Sequence, residues 1–195
     1  SSLGGIAALS EVLSALPANF PAPIIIVQHL QPFYKSQLDE ILNRRTALTV
    51  KWAEQGERLC AGNVYLAPPD YHVMILPPGI IALSHSEKVQ FVRPSANTLF
   101  DSVAAYYGER AIAVVLTGAG SDGASGVQAI KHCGGKVLVQ NMRTSQAFGM
   151  PGAALKTGCV DFTLSLRIIA RALVSLVMVN GASQFFCPTQ EKPAS

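Results

Sequence analysis

Charge is scarce in this sequence. Only 14% of its 195 residues are Asp, Glu, Lys or Arg, and the formal net charge is +3. The basic residues form no stripe and carry no interleaved aromatics, so nucleic-acid binding is not supported. Cysteine is sparse too. Cys60, Cys133, Cys159 and Cys187 stand far apart without a CxxC pair. That pattern argues against zinc or a disulfide framework, and for reduced thiols in a cytoplasmic protein. No group of His, Cys and carboxylates has metal-ligand spacing, so neither a metal nor another cofactor is expected. Long apolar runs are missing: none approaches the ~18 residues that suggest a membrane helix. No basic segment leads into an apolar one as in a signal peptide. The opening SSLGG has neither a methionine nor a strand before it, which reads as a fragment or a trimmed numbering.

What is present is core material. Hydrophobic residues make up 49% of the chain, with 16 glycines and 12 prolines punctuating them. This composition suits one domain, expected over residues 1–180, followed by a tail or linker over 181–195. Helical and strand patterns alternate. GIAALSEVLSAL (5–16) puts Ile6, Leu9, Leu13 and Leu16 on one face, with Val12 beside them. PIIIVQ and AIAVVLTG are continuously apolar, as strands covered on both faces are. HVMILPPGIIALS (72–84) holds two apolar runs around Pro77-Pro78-Gly79, a hairpin signal. In RPSANTLFDSVAAYYG, Ser95 reads as a helix N-cap and Gly108 as its stop. YKSQLDEILNRR (34–45), with Leu38, Ile41 and Leu42, reads as the second helix, DGASGVQAIKHCGG, PGAALKTG and RIIARALVSLVMV as further helices, and LTVKWA, NVYLAPP, KVLVQN and CVDFTL as further strands. The expected class is α/β, with a mainly parallel sheet, helices on both faces and an antiparallel hairpin. Ligand sites in such sheets lie beyond the carboxyl ends of the strands.

Three polar residues fall there. Ser2 precedes X-Gly-Gly and a helix, like the second half of a nucleophile elbow; a plain helix cap is the competing reading. His29 ends a buried strand, where it is either a hydrogen-bonded structural residue or an accurately aimed base. Asp122 follows the glycine-rich LTGAGS, where a phosphate loop would be spoiled by its charge and no GK[ST] follows. Together they make a candidate Ser-His-Asp triad.

Six segments, SSLGG, IVQHL, YLAPPDYH, VRPSANTLFDSVA, LTGAGSDGASG and AFGMPGAAL, resemble in order and spacing the catalytic domain of chemotaxis protein-glutamate methylesterases, the CheB family. The resemblance covers about residues 1–180. It implies a doubly wound parallel sheet, with Ser2, His29 and Asp122 as nucleophile, base and orienting acid. It also implies hydrolysis of glutamate γ-methyl esters on chemoreceptor cytoplasmic helices, releasing methanol, with glutamine deamidation in some members. A fused receiver or methyltransferase domain is a further implied partner. Many members carry methionine where this chain has Ala119. The backbone amides of Leu3 and Gly4, or those of Ala119 and Gly120, are oxyanion-hole candidates. His72 and Arg93 are candidates to line the cleft, Arg93 toward acidic receptor residues. Met150 is expected to pack near the site, and His85 and His132 to be exposed. A serine hydrolase for another ester, and a catalytically silent domain that binds receptor helices or a fused methyltransferase, are the alternatives.

Overall fold

The computed structural model describes residues 1–29 and 36–178. The expected tail over 181–195, with Cys187, lies outside the described residues, as do residues 34 and 35, where the second helix was expected to begin.

Two parallel sheets and a hairpin organise the chain. In the first sheet β1 (Ile24–Ile26) and β2 (Thr49–Trp52) flank β3 (Asn63–Leu66), with Ile25 opposite Tyr65 and Val50 opposite Val64. The hairpin pairs β4 (His72–Leu76) with β5 (Ile80–Ser84), turning at Pro77-Pro78-Gly79 as read. In the second sheet β6 (Ile112–Val115), β7 (Lys136–Gln140) and β8 (Phe162–Leu164) run parallel in that order.

The helices are α1 (Gly5–Ser14), α2 (Leu38–Asn43), α3 (Ala96–Tyr107), α4 (Ala124–His132), α5 (Gly149–Lys156) and α6 (Leu166–Met178). They cover both faces, and β6 shows why its run is apolar throughout. Ile112 and Val114 pack against the cluster of Leu9, Leu13 and Ile169 from α1 and α6. Ala113 and Val115 point the other way, into Val127, Ile130 and Ala154 of α4 and α5. A strand with one face in water would have alternated instead. A third cluster joins Val73, Ile75 and Ile81 of the hairpin to Leu99 of α3.

In α1 the buried stripe is Leu9, Val12 and Leu13, continued by Leu16 beyond the helix. Ile6, expected on that face, is 39% exposed. It lies in the first turn of α1.

Ser1 and Ser2 sit between the two parallel sheets and bond to both. Ser1 N donates to Val27 O and His29 N to Ser1 O, at 2.9 and 3.0 Å, while Ser2 N donates to Thr117 O at 3.1 Å. Beyond them an apolar cavity of about 210 Å³ lies between β1 and β6, lined in part by Ile24, Ile26, Val114 and Leu116. Among the described residues no helix is long and apolar enough to cross a membrane. Cys60, Cys133 and Cys159 carry free thiols.

Candidate active site

Three chain segments meet at the carboxyl ends of β1 and β6: the turn into α1, the end of β1, and the loop between β6 and α4. The turn carries Ser2. Gly4 takes φ +77°, a conformation that side chains other than glycine adopt only with strain, and this lets the chain swing from Ser2 directly into the helix. Gln28 clamps the turn from below. It is 4% exposed, its Nε2 donates to Ser2 O at 3.0 Å, and its Oε1 accepts from Ser1 Oγ at 2.6 Å. Thr117 clamps it from the side, its Oγ1 lying 2.9 Å from Leu3 O. Gln140 in turn accepts from Thr117 N at 2.7 Å. Neither glutamine stood out in the sequence; the only signal was a polar residue ending each apolar strand.

His29 is part-buried, and its Nε2 lies 2.8 Å from Asp122 Oδ2. Asp122 is 4% exposed. Besides the ring it accepts from Ser95 Oγ at 2.7 Å, Ala96 N at 2.7 Å and Asn97 N at 3.2 Å. Burial pushes its carboxyl up. The hydrogen bonds from His29, Ala96, Ser95 and Asn97 outweigh that and hold it below the ordinary aspartate value of 3.8. Ala96 and Asn97 open α3, so the helix dipole favours the same charge. Asp122 therefore caps α3 rather than its own helix. Asn97 reciprocates: its Oδ1 accepts from Gly123 N and Gly126 N at the start of α4, at 3.0 and 2.9 Å.

Ser2 Oγ accepts from the backbone amides of Leu3, at 2.6 Å, and Ala119, at 3.3 Å. No hydrogen bond from Gly4 or Gly120 reaches it. Ser2 and the His29 ring make no hydrogen bond to each other. Because Nε2 faces the carboxylate, the nitrogen left to act as a base is Nδ1.

The two cleft candidates, His72 and Arg93, are each held by partners within the fold. His72 is fully buried. Its Nδ1 accepts from Ser95 N at 3.1 Å and its Nε2 lies 3.1 Å from Glu87 O, so it braces the Ser95 segment from behind. Arg93 is already engaged within the chain. Its guanidinium, 12% exposed, is held by Asp70 Oδ1 at 2.7 and 2.9 Å and by the carbonyls of His85 and Ser86. His85 and His132 are exposed, and Met150 is buried, its sulfur packed against the backbone of Gly118. Among the described residues no cluster could hold a metal ion.

A serine at the turn into a helix, a histidine–carboxylate pair and two amides converging on the serine oxygen, all at the carboxyl ends of parallel strands, are the kind of arrangement that serine hydrolases use. Residues 1–173 match the CheB methylesterase family, and the chain belongs to it. The structure superposes on the Thermotoga maritima CheB methylesterase catalytic domain with a TM-score of 0.87 and 38% identity, covering 90% of this chain and 95% of that one. A relative from Leptospira interrogans is 39% identical over 179 residues, 92% of this chain and 93% of that protein. The protein-glutamate methylesterase/protein-glutamine glutaminase 2 of Anaeromyxobacter dehalogenans is 44% identical over 176 residues, 90% of this chain. This chain spans about half the length of that relative and of those from Methanosarcina mazei and Thermotoga maritima.

Proposed function

We propose that this domain hydrolyses glutamate γ-methyl esters on the cytoplasmic helices of chemoreceptors, with Ser2 as nucleophile, His29 as base and Asp122 as orienting acid. The observation that carries this is the His29–Asp122 bond at 2.8 Å, set against a serine whose oxygen already sits between two backbone amides. Asp122 fixes the tautomer with the proton on Nε2, leaving the Nδ1 lone pair for the serine proton. As Oγ turns toward the ring and attacks the ester carbonyl, it vacates the Leu3 and Ala119 amides, which then receive the developing oxyanion. The proton passes from Nδ1 to the departing methoxide, giving methanol and a glutamyl ester of Ser2. Water, deprotonated by the same nitrogen, then releases glutamate and restores Ser2. A glutamine side chain would follow the same course and release ammonia.

The same reading takes residues 1–180 as the catalytic domain and 181–195 as a tail or linker. It places the protein in the cytoplasm, where receptor helices and any fused receiver or methyltransferase domain would be its partners. The test is methanol release from methylated receptor membranes by wild type, Ser2→Ala and His29→Ala, with folding checked by circular dichroism. Release by wild type and its loss in both folded variants is the expected result. Full release by folded Ser2→Ala would overturn the assignment of the nucleophile. A wild type that binds receptor without releasing methanol would leave the silent binding domain as the better reading.

A further inference from the structure

The segment between β5 and α3, residues 85–95, is a short arm with a fixed neck and an exposed tip. At the neck Arg93 holds Asp70 and two carbonyls of the arm's own start, and His72 spans Ser95 N and Glu87 O. At the tip Val89 and Val92 exchange two N–H···O bonds of 3.1 Å around a two-residue turn. Both turn residues lie in the left-handed region, Gln90 at φ +49° and Phe91 at +67°. Such turns ordinarily take Asn-Gly or Asp-Gly, because other side chains are strained there. Here the second place is held by phenylalanine, and it is 95% exposed. The arm touches the active-site loop through Ser121 Oγ, which lies 3.2 Å from Gln90 Oε1, two residues past the Ala119 amide and one before Asp122.

A single exposed aromatic is ordinary. This one combines exposure, a backbone that disfavours it, a braced support and an arm bonded through Gln90 to the loop that carries the Ala119 amide and Asp122. Neither the exposure nor the strained backbone helps the domain fold, and strained residues held by a rigid surround gather at functional sites. We infer that Phe91 is a docking contact for the substrate polypeptide: it packs on an apolar face adjoining the esterified glutamate and selects protein over small esters. This rests on the function proposed above and adds the determinant of substrate size. An aromatic that gives up little side-chain entropy on contact is the residue type that dominates such interfaces.

The experiment compares wild type with Phe91→Ala and Phe91→Tyr on two substrates: methylated receptor membranes, and the γ-methyl ester of an N-acetylated glutamate amide. Phe91→Ala is expected to raise KM for receptor about tenfold. Its kcat on receptor and its rate on the small ester should stay within about twofold of wild type. Phe91→Tyr should keep most of the receptor affinity. An unchanged receptor KM, or an equal loss on both substrates, would overturn the inference. Wild-type hydrolysis of the small ester without receptor hydrolysis would sink the proposed substrate itself, and this inference with it.

Discussion

His72 Nδ1 accepts a hydrogen bond from the backbone N–H of Ser95, 3.1 Å away and wholly out of solvent. Ser95, Ala96 and Asn97 in turn supply three of the hydrogen bonds that Asp122 accepts. His72 thus acts on the acid at one remove, as a positioning residue. In His72→Phe the Ser95 amide is left buried without a partner, which costs about 1–3 kcal/mol. The donors on Asp122 lose their backing, so kcat is expected to fall about tenfold. In His72→Asn the side-chain oxygen can stand where Nδ1 stood. That variant should recover most of the kcat but not the bond to Glu87. Urea unfolding and steady-state kinetics on the pair check this; an asparagine variant no better than the phenylalanine one would refute it.

Asp122→Asn removes the charge that fixes the His29 tautomer. It also offers one acceptor oxygen where three donors from α3 and the histidine converge. By analogy with orienting acids in other triads, the rate should drop about 10³-fold or more. Stability should fall by about 1–3 kcal/mol as one buried N–H or O–H goes unmet. Methanol release and labelling of Ser2 by a serine-directed phosphonate are the readouts. A fully reactive Ser2 in a folded Asp122→Asn protein would mean that His29 does not depend on this carboxylate.

The pH dependence of stability follows from the same site. The folded-state pKa of Asp122 is depressed below 3.8, because the hydrogen bonds from His29, Ala96, Ser95 and Asn97 outweigh the upward push of burial. A depressed acid contributes stability that is fully present above the unfolded value. That contribution is lost as pH falls through the folded value. Below pH 3.8, therefore, unfolding takes up a proton at Asp122 that the native state refuses. Asp122→Asn should flatten the stability curve there by up to about 1.4 kcal/mol per pH unit, the contribution of one proton. Urea unfolding at a series of pH values from 5 downward measures it, and equal slopes for the two proteins would contradict the assignment. Asp161 adds to the same window. Burial raises its carboxyl, but Lys131 and the Val137 amide together hold it low.

Residue chemistry and periodicity made the strand ends and the opening turn legible, and so three residues of the candidate site. His29 and Asp122 could be named because each follows a strand too apolar to lie anywhere but the centre of a sheet. Ser2 could be named because Gly4 and Gly5 announce a sharp turn. What holds them was not legible. Gln28 and Gln140 look like ordinary strand-terminal polars until the fold brings Gln28 under the Ser2 turn and Gln140 against the Thr117 amide. Arg93 and His72 look like cleft residues because they neighbour motif segments. Only the backbone path shows that their partners are Asp70 and Ser95. Pairing between distant loops has no period, so no local pattern encodes it.

Two glycines of α5 allow a matched test of the proposed oxyanion site. A Cβ on Gly149 would lie 2.8 Å from Gly120 N and 3.1 Å from both Ala119 Cα and Gly118 O. All three are backbone atoms, so nothing can rotate aside. The two segments are also tied by the bonds from Met150 N to Gly118 O and from Gly118 N to Ala147 O, at 2.9 and 3.0 Å. Gly149→Ala must therefore push the 118–120 loop, and the Ala119 amide with it. That amide is already 3.3 Å from Ser2 Oγ, and further retreat weakens it steeply. Complete loss of one oxyanion donor costs about 10²–10³ in kcat elsewhere. A displaced donor should cost at least about tenfold, with KM little changed. A Cβ on Gly152, one turn along the same helix, would meet only the Phe148 ring, at 3.3 and 3.5 Å. Gly152→Ala should keep wild-type kcat and gain up to ~1 kcal/mol from helix propensity. The contrast separates loop placement from helix stability, because both variants add one methyl group to the same helix. Equal kcat in the two would show that the Ala119 amide does not serve the oxyanion.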